Sequence, residues 1–310
     1  MGKTLEQYRK IDKSGAMTFS ILGILALLVM AYFLGLTESQ SGTLKEIASN
    51  SKEFAFDLPD TNIGRDLRLN LKAAIAVDNK KHQVVYSYNA DQIRPVASIS
   101  KILTAMIVLD NYNPDTVLTI TKQDARNSSR SLFQPGDMVR AKDLLHASML
   151  QSDNRAARAL ARLVAGSYED FARNMNNMAL TCGLKNTVMY EPTGLNEHNC
   201  STAADIARLM LLAYTRYPEF ARITSLKEYT FSLVNRKKQI HLVNTNRMVF
   251  SKYKVRAGKT GYIIESDYCL ATILEDAEGK EVTVVVLGAP GSNTRFREAR
   301  RLASYAFERI

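Results

Sequence analysis

The stretch from Met17 to Leu36, MTFSILGILALLVMAYFLGL, contains no charged residue. As a helix rising ~1.5 Å per residue it would span about 30 Å, the hydrocarbon thickness of a bilayer. No other feature restricts the organisation of the chain so strongly. Lys3, Arg9, Lys10 and Lys13 precede the run, and the next basic residue after it is Lys45. That asymmetry places residues 1–16 in the cytoplasm and everything from Thr37 outside it. A cleaved signal peptide is the competing reading. Against it, the run exceeds the ~7–15-residue apolar core usual for such peptides, and no A-x-A-like site follows. The sequence therefore predicts an uncleaved anchor over 17–36 and an exported remainder.

Residues 37–66 are polar with little periodicity and read as a stalk. Residues 67–310 read as the globular domain. Apolar residues make up 46% of the 310-residue chain, enough for a sizeable core. The formal charge of +10 first suggests nucleic acid, but the basic residues are scattered and no nucleic-acid-binding motif is present. A surface that tolerates anionic polymers or lipid headgroups accounts for the charge equally well. Cys182, Cys200 and Cys269 are too few for a disulfide scaffold. In an exported protein Cys182 and Cys200 could pair, closing the shorter loop, or all three could be small apolar side chains.

The segments LKAAIAVD and HQVVYSY flank NKK and read as a hairpin. Helical periodicity fills 98–112, 141–150, 153–165, 168–181 and 202–215. Thr202 and Asp205 have the spacing of a capping box at the start of the last of these. Strands return in KEYTFSLV, DYCLATIL and EVTVVVLGA, and TRFREARRLASYAFE closes the chain as an amphipathic helix. Strands at both ends with helices between them predict an α/β fold, one sheet carrying a helical subdomain.

Three short motifs carry chemistry. Ser98 and Lys101 in VASISKILTAMIVLD are three apart, so on a helix they share a face. Pro95 upstream predicts that Ser98 lies in the first helical turn, where free N–H groups favour developing negative charge. A serine hydroxyl needs a base, and a lysine can serve if its pKa falls well below ~10.4. The same spacing recurs meaninglessly in SNSK at 49–52, so it is not specific alone. Ser152, Asp153 and Asn154 form an S-x-N that also reads as an ordinary helix N-cap. Lys259, Thr260 and Gly261 form a single KTG inside VRAGKTGYIIESDYCLA. Its glycines suit a close backbone approach on a strand, or a tight turn with an exposed lysine. His82, His146, His198 and His241 show no H-E-x-x-H or similar spacing.

The order S-x-x-K, S-x-N, K-T-G resembles the active-site serine penicillin-recognising enzymes. The contexts RPVASISKILTAMIVLD, LLHASMLQSDNRAARALA, EPTGLNEHNCSTAADIARL and AGKTGYIIESDYCLATIL resemble the D-alanyl-D-alanine carboxypeptidase and endopeptidase family of low-molecular-mass penicillin-binding proteins. The resemblance runs from about Leu71 to the C-terminus. It implies a β-lactamase/transpeptidase-like fold, with an antiparallel sheet flanked by helices. It further implies that Ser98 is acylated by D-Ala–D-Xaa peptides and released by water, with Lys101 moving protons and Ser152 relaying one to the leaving amine. Asn154, Lys259, Thr260, Gly261 and Tyr262 would bind substrate, and the N–H groups of Ser98 and Tyr262 would form the oxyanion hole. Neither metal nor cofactor is implied. Peptidoglycan peptides, acylating β-lactams and the cytoplasmic membrane are the expected partners, in the bacterial cell envelope.

Three alternatives accompany this reading. A class A β-lactamase adds an E-x-x-L-N loop, but EPTGLN at Glu191–Asn196 has one residue too many and resembles the peptidase N/E-P-x-G-L segment instead. A non-hydrolytic penicillin-binding sensor would usually carry further membrane spans and a cytoplasmic module. Within the family, about fifty residues follow KTG. That length resembles the penicillin-binding protein 7 type of endopeptidase more than a carboxypeptidase with a second β domain.

Overall fold

Strand β11 (Glu281–Ala289) is EVTVVVLGA and is buried over nearly its whole length. A strand with no wet face must lie inside a sheet covered on both sides. In the computed structural model, which describes residues 56–59, 62–64, 66–128 and 131–310, it does. It pairs antiparallel with β1 (Ala73–Asp78) and β10 (Asp267–Glu275), Ile75 opposite Val285 and Ala271 opposite Val285. β2 (Gln83–Tyr88) extends the sheet beyond β1, and β9 (Lys254–Ile263) extends it beyond β10. All four neighbouring pairs are antiparallel, in the order β2-β1-β11-β10-β9.

Between β2 and β9 run the short strand β3 (Arg94–Pro95) and α1 (Lys101–Asn111), then β4 (Val117–Thr119) and β5 (Met138–Arg140). Helices α2 (Ala141–Leu150), α3 (Asn154–Ala165) and α4 (Tyr168–Thr181) follow. Next come β6 (Cys200–Ser201), α5 (Ala203–Arg216), α6 (Pro218–Ser225) and the hairpin of β7 (Glu228–Ser232) with β8 (Gln239–Val243). The closing helix α7 (Ser292–Phe307) packs Phe296, Ala299, Leu302 and Ala303 against Val282, Val284 and Val286. Helix α5 packs against the same three central strands, β1, β10 and β11. Thr202 caps α5 by accepting from Asp205 N at 3.0 Å, as its spacing predicts. The Asp205 carboxylate completes only half of the capping box, because it accepts from Asn186 N, Thr187 and Arg208 instead.

The expected α/β fold with an antiparallel sheet and helices is observed. The anchor over 17–36, the cytoplasmic residues 1–16 and most of the stalk lie outside the described residues. Among the described residues no helix is long and apolar enough to cross a membrane. The described part of the stalk is packed on the domain. Phe56 is buried under the Arg208 guanidinium, which also donates to Phe56 O at 3.0 Å. Asp66 accepts from Tyr305 on α7 and from Arg309 just past its end.

Candidate active site

Ser98 sits in a 3-10 turn, Ala97–Ser100, and Lys101 is the first residue of α1. The expected α-helical first turn is therefore corrected. Pro95 does not start the helix; it lies in β3, opposite Cys200 of β6. Ala97 adopts a left-handed φ of 48°, a strained conformation for a residue with a Cβ. The turn still brings Ser98 and Lys101 together, because Lys101 Nζ lies 2.9 Å from Ser98 Oγ.

Lys101 Nζ also reaches Asn154 Oδ1 at 2.7 Å and Thr193 O at 2.6 Å, and Ser98 Oγ donates to Thr193 O at 3.1 Å. Asn154 is the first residue of α3, and its place is set by Asp153. The Asp153 carboxylate caps α3 through Arg155 N and Ala156 N, as an N-cap aspartate should. It also accepts from Ser131 Oγ and Leu132 N of the preceding loop, so one side chain ties the loop to the helix start. Ser152 joins α2 to α3 with a φ of 60°, a left-handed conformation disfavoured by about 1–2 kcal/mol for such a residue. That conformation presents its hydroxyl to Lys259 Nζ at 3.0 Å.

Lys259, Thr260 and Gly261 lie on β9, the edge strand, and not in a turn. Gly261 faces the turn so closely that a Cβ would lie 2.8 Å from Val96 O and 3.2 Å from Ser98 N. Glycine is what lets the strand approach Ser98. Thr260 Oγ1 is anchored by Thr245 Oγ1 at 2.7 Å. Tyr262 is half exposed and its ring stacks on Tyr268 at 4.2 Å. Behind the strand, Arg295 of α7 donates to Gly261 O and Cys269 O.

The two lysines are completely buried, and burial disfavours their charged forms. Burial draws Lys101 down to about 7, against a partial opposing pull from Glu191 and Asp153. Lys259 also falls well below its ordinary value, through burial and repulsion from Lys101 and Arg295. A positive charge on Lys259 thus meets an environment that resists it. A hydroxyl between a near-neutral amine and a carbonyl can surrender its proton to that amine.

The structure thus brings Ser98, Lys101 and Asn154 into hydrogen-bond contact, joins Ser152 to Lys259 and lays Gly261 against the turn of Ser98, while the side chains of Thr260 and Tyr262 meet Thr245 and Tyr268. Sequence reasoning missed three contributors. Thr193 acts through a backbone carbonyl, which no residue type reveals. Glu191 lay in a segment set aside as a family marker. Arg295 is hidden among four other arginines near the C-terminus. All three cysteines are free thiols, so Cys182 and Cys200 are not bridged.

Comparison with known proteins agrees with this geometry. The family model of D-alanyl-D-alanine carboxypeptidases matches residues 61–291. The chain is 34% identical over 239 residues to a D-alanyl-D-alanine endopeptidase of Escherichia coli, covering 75% of this chain and 76% of that one. The solved Streptomyces K15 DD-transpeptidase is similar at a TM-score of 0.73 and 29% identity, over 78% of this chain and 98% of that one. Penicillin-binding protein D2 from Listeria monocytogenes, in its ampicillin-bound form, is similar at 0.69 and 28%, over 78% of this chain and 99% of that one. With a buried lysine against a serine at the head of α1 and a family match over most of its length, the chain belongs to the D-alanyl-D-alanine carboxypeptidase family of serine peptidases.

Proposed function

We propose that this enzyme hydrolyses D-Ala–D-Xaa bonds of peptidoglycan peptides through an acyl-enzyme on Ser98, and that it favours cross-links over terminal D-alanine. The observation that carries the chemistry is Ser98 Oγ held at 2.9 Å from the Nζ of a wholly buried Lys101. Neutral Lys101 takes the Ser98 proton, and Oγ bonds to the carbonyl carbon of the penultimate D-alanine. The oxyanion is met by the N–H groups of Ser98 and Tyr262, a role supported by the close approach of Gly261, the residue before Tyr262, to Ser98 N. The C–N bond then breaks. The proton passes from Lys101 through Ser152 to the departing amine, and Ser152 is aligned for this by Lys259. Water attacks the ester and restores Ser98. An anionic substrate group beside Lys259 and Thr260 would favour the charged form of Lys259.

The preference for cross-links is supported by the endopeptidase name of the 34%-identical relative. The uncharged run at 17–36 and the preceding basic residues support attachment at the outer face of the cytoplasmic membrane, with residues 37–66 as connector. Incubation with purified cross-linked muropeptides, read by mass, tests the reaction. Monomers should appear, and a fluorescent penicillin should label the peptide containing Ser98. Loss of single alanines alone would make the enzyme a carboxypeptidase, and a penicillin adduct without any turnover of muropeptides would make it a sensor. An adduct on Ser152 would overturn the assignment of the nucleophile.

A further inference from the structure

The Glu191 carboxylate sits in a cup of donors. It accepts from the backbone N–H groups of Thr193 (2.8 Å), Gly194 (2.5 Å), Leu195 (2.8 Å) and Asn196 (3.4 Å), and from the Thr193 hydroxyl (2.6 Å). Successive N–H groups converging on one anion form a nest, and a nest fixes where the intervening carbonyls point. Here the Thr193 carbonyl is turned outward, to Lys101 Nζ at 2.6 Å and Ser98 Oγ at 3.1 Å.

The loop has little freedom to move. Asn199, fully buried, accepts from Glu191 N at 3.3 Å and donates to Glu191 O at 2.8 Å. Thr104 of α1 donates to Pro192 O at 2.8 Å. Gly194 has a φ of +80°, and a Cβ there would lie 2.0 Å from Ala97 O, so the loop rests directly on the turn that carries Ser98.

The consequence is stereochemical. A neutral amine has two N–H bonds and one lone pair in a tetrahedral arrangement. Lys101 Nζ has three oxygen neighbours, Ser98 Oγ, Asn154 Oδ1 and Thr193 O. Asn154 Oδ1 and Thr193 O can only accept, so each takes an N–H, the lone pair is left facing Ser98 Oγ, and the Ser98 proton has to turn from Thr193 O onto it. If the Thr193 carbonyl turned away, the amine could rotate and aim an N–H at the serine, which is useless for proton abstraction.

We propose that Glu191 is the positioning residue of this site, its carboxylate holding the Thr193 carbonyl where it points the lone pair of Lys101 at Ser98. The inference rests on the reading of Lys101 as the base. Glu191 does not touch substrate. Its negative charge also counteracts, in part, the effect of burial on Lys101.

Glu191→Gln tests this, because an amide nitrogen facing the cup cannot accept. The rate of penicillin acylation is measured from acid to alkaline pH beside thermal unfolding. The plateau should fall about a hundredfold, as for a misplaced reacting group. The acid limb should move to lower pH, because loss of a nearby negative charge makes Lys101 easier to deprotonate. A wild-type plateau and limb would overturn the proposal, as would a fall that tracks the unfolded fraction with the limb unmoved. If Glu191→Gln does not fold, Thr193→Val decides, since it removes one donor to Glu191 and keeps every backbone donor. It should acylate several-fold more slowly, and an unchanged rate would overturn the proposal. A wild-type protein that is never acylated would instead sink the assignment of Ser98 and Lys101.

Discussion

Asp124 and Lys101 are both wholly buried, yet their surroundings have nothing in common. Asp124 accepts from Arg162 at 2.9 Å, Tyr168 Oη at 2.7 Å and Thr121 N at 2.8 Å. Burial alone would raise its pKa, but Arg162 and these donors hold the carboxyl below the ordinary range. Lys101 meets only neutral oxygens within hydrogen-bond reach. The carboxylates of Glu191 and Asp153 act on it from farther away, and burial wins, leaving it near 7. A buried charge with a full partner set stays charged and serves the scaffold. A buried amine given only neutral acceptors becomes a group that can change its proton at physiological pH.

The contrast breaks most visibly at Lys101→Arg. Arginine keeps the charge but cannot give up its proton, so penicillin acylation should fall about a thousandfold. In the wild type the neutral amine is the active form. The rate should therefore decline about tenfold per pH unit below about 7 and level off above it. An arginine variant acylated at the wild-type rate would erase the distinction between the two regions.

Asp124→Ala attacks the other side of the comparison. It leaves Arg162 without its carboxylate in a mostly buried place, at a cost of about 3 kcal/mol. Urea unfolding should show that loss, while acylation per folded molecule stays at the wild-type rate. A stability change too small to measure would mean that this ion pair contributes nothing to the scaffold.

Asp110 sharpens the contrast as an intermediate case. The residue is more than a third exposed, with Tyr217 Oη donating to its carboxyl at 2.9 Å, and partial desolvation raises its pKa from 3.8 to about 6. The folded state thus prefers the protonated form. That preference is harmless below pH 3.8, and stability is lost as pH rises from there through about 6. Asp110→Asn keeps an acceptor for Tyr217 and removes the ionisation. It should stabilise the protein at pH 8 by about 1 kcal/mol, discounted for partial exposure, and raise Tm by a few degrees. A variant no more stable at pH 8 than at pH 4, relative to wild type, would refute the burial argument.

Much of this was legible in the chain because it depends on local pattern. The helices at 141–150 and 168–181 follow from apolar period, the second also carrying a Ser167 cap, and β11 follows from a run of β-branched residues. The site residues were legible because nucleophile, base and relay demand particular residue types at short spacing. The ten-residue strand β9 was harder to see, since Gly258, Lys259 and Gly261 read equally as a turn. Helix α6 and strand β8 left no distinct signal either, being eight and five residues long.

The sequence by itself determined the chemistry available: a serine, two lysines and an asparagine in motifs of known order, behind a run long enough to cross a bilayer. Only the tertiary structure decided what those groups can do. The acidity of Lys101 depends on burial and on oxygens from residues 98, 154 and 193, which are distant in sequence and meet only when the sheet and helices pack. The decisive carbonyl belongs to the backbone of Thr193, and its direction is set by Glu191 and a left-handed Gly194. Backbone direction and desolvation are properties of the packed chain, so no single residue could have announced them.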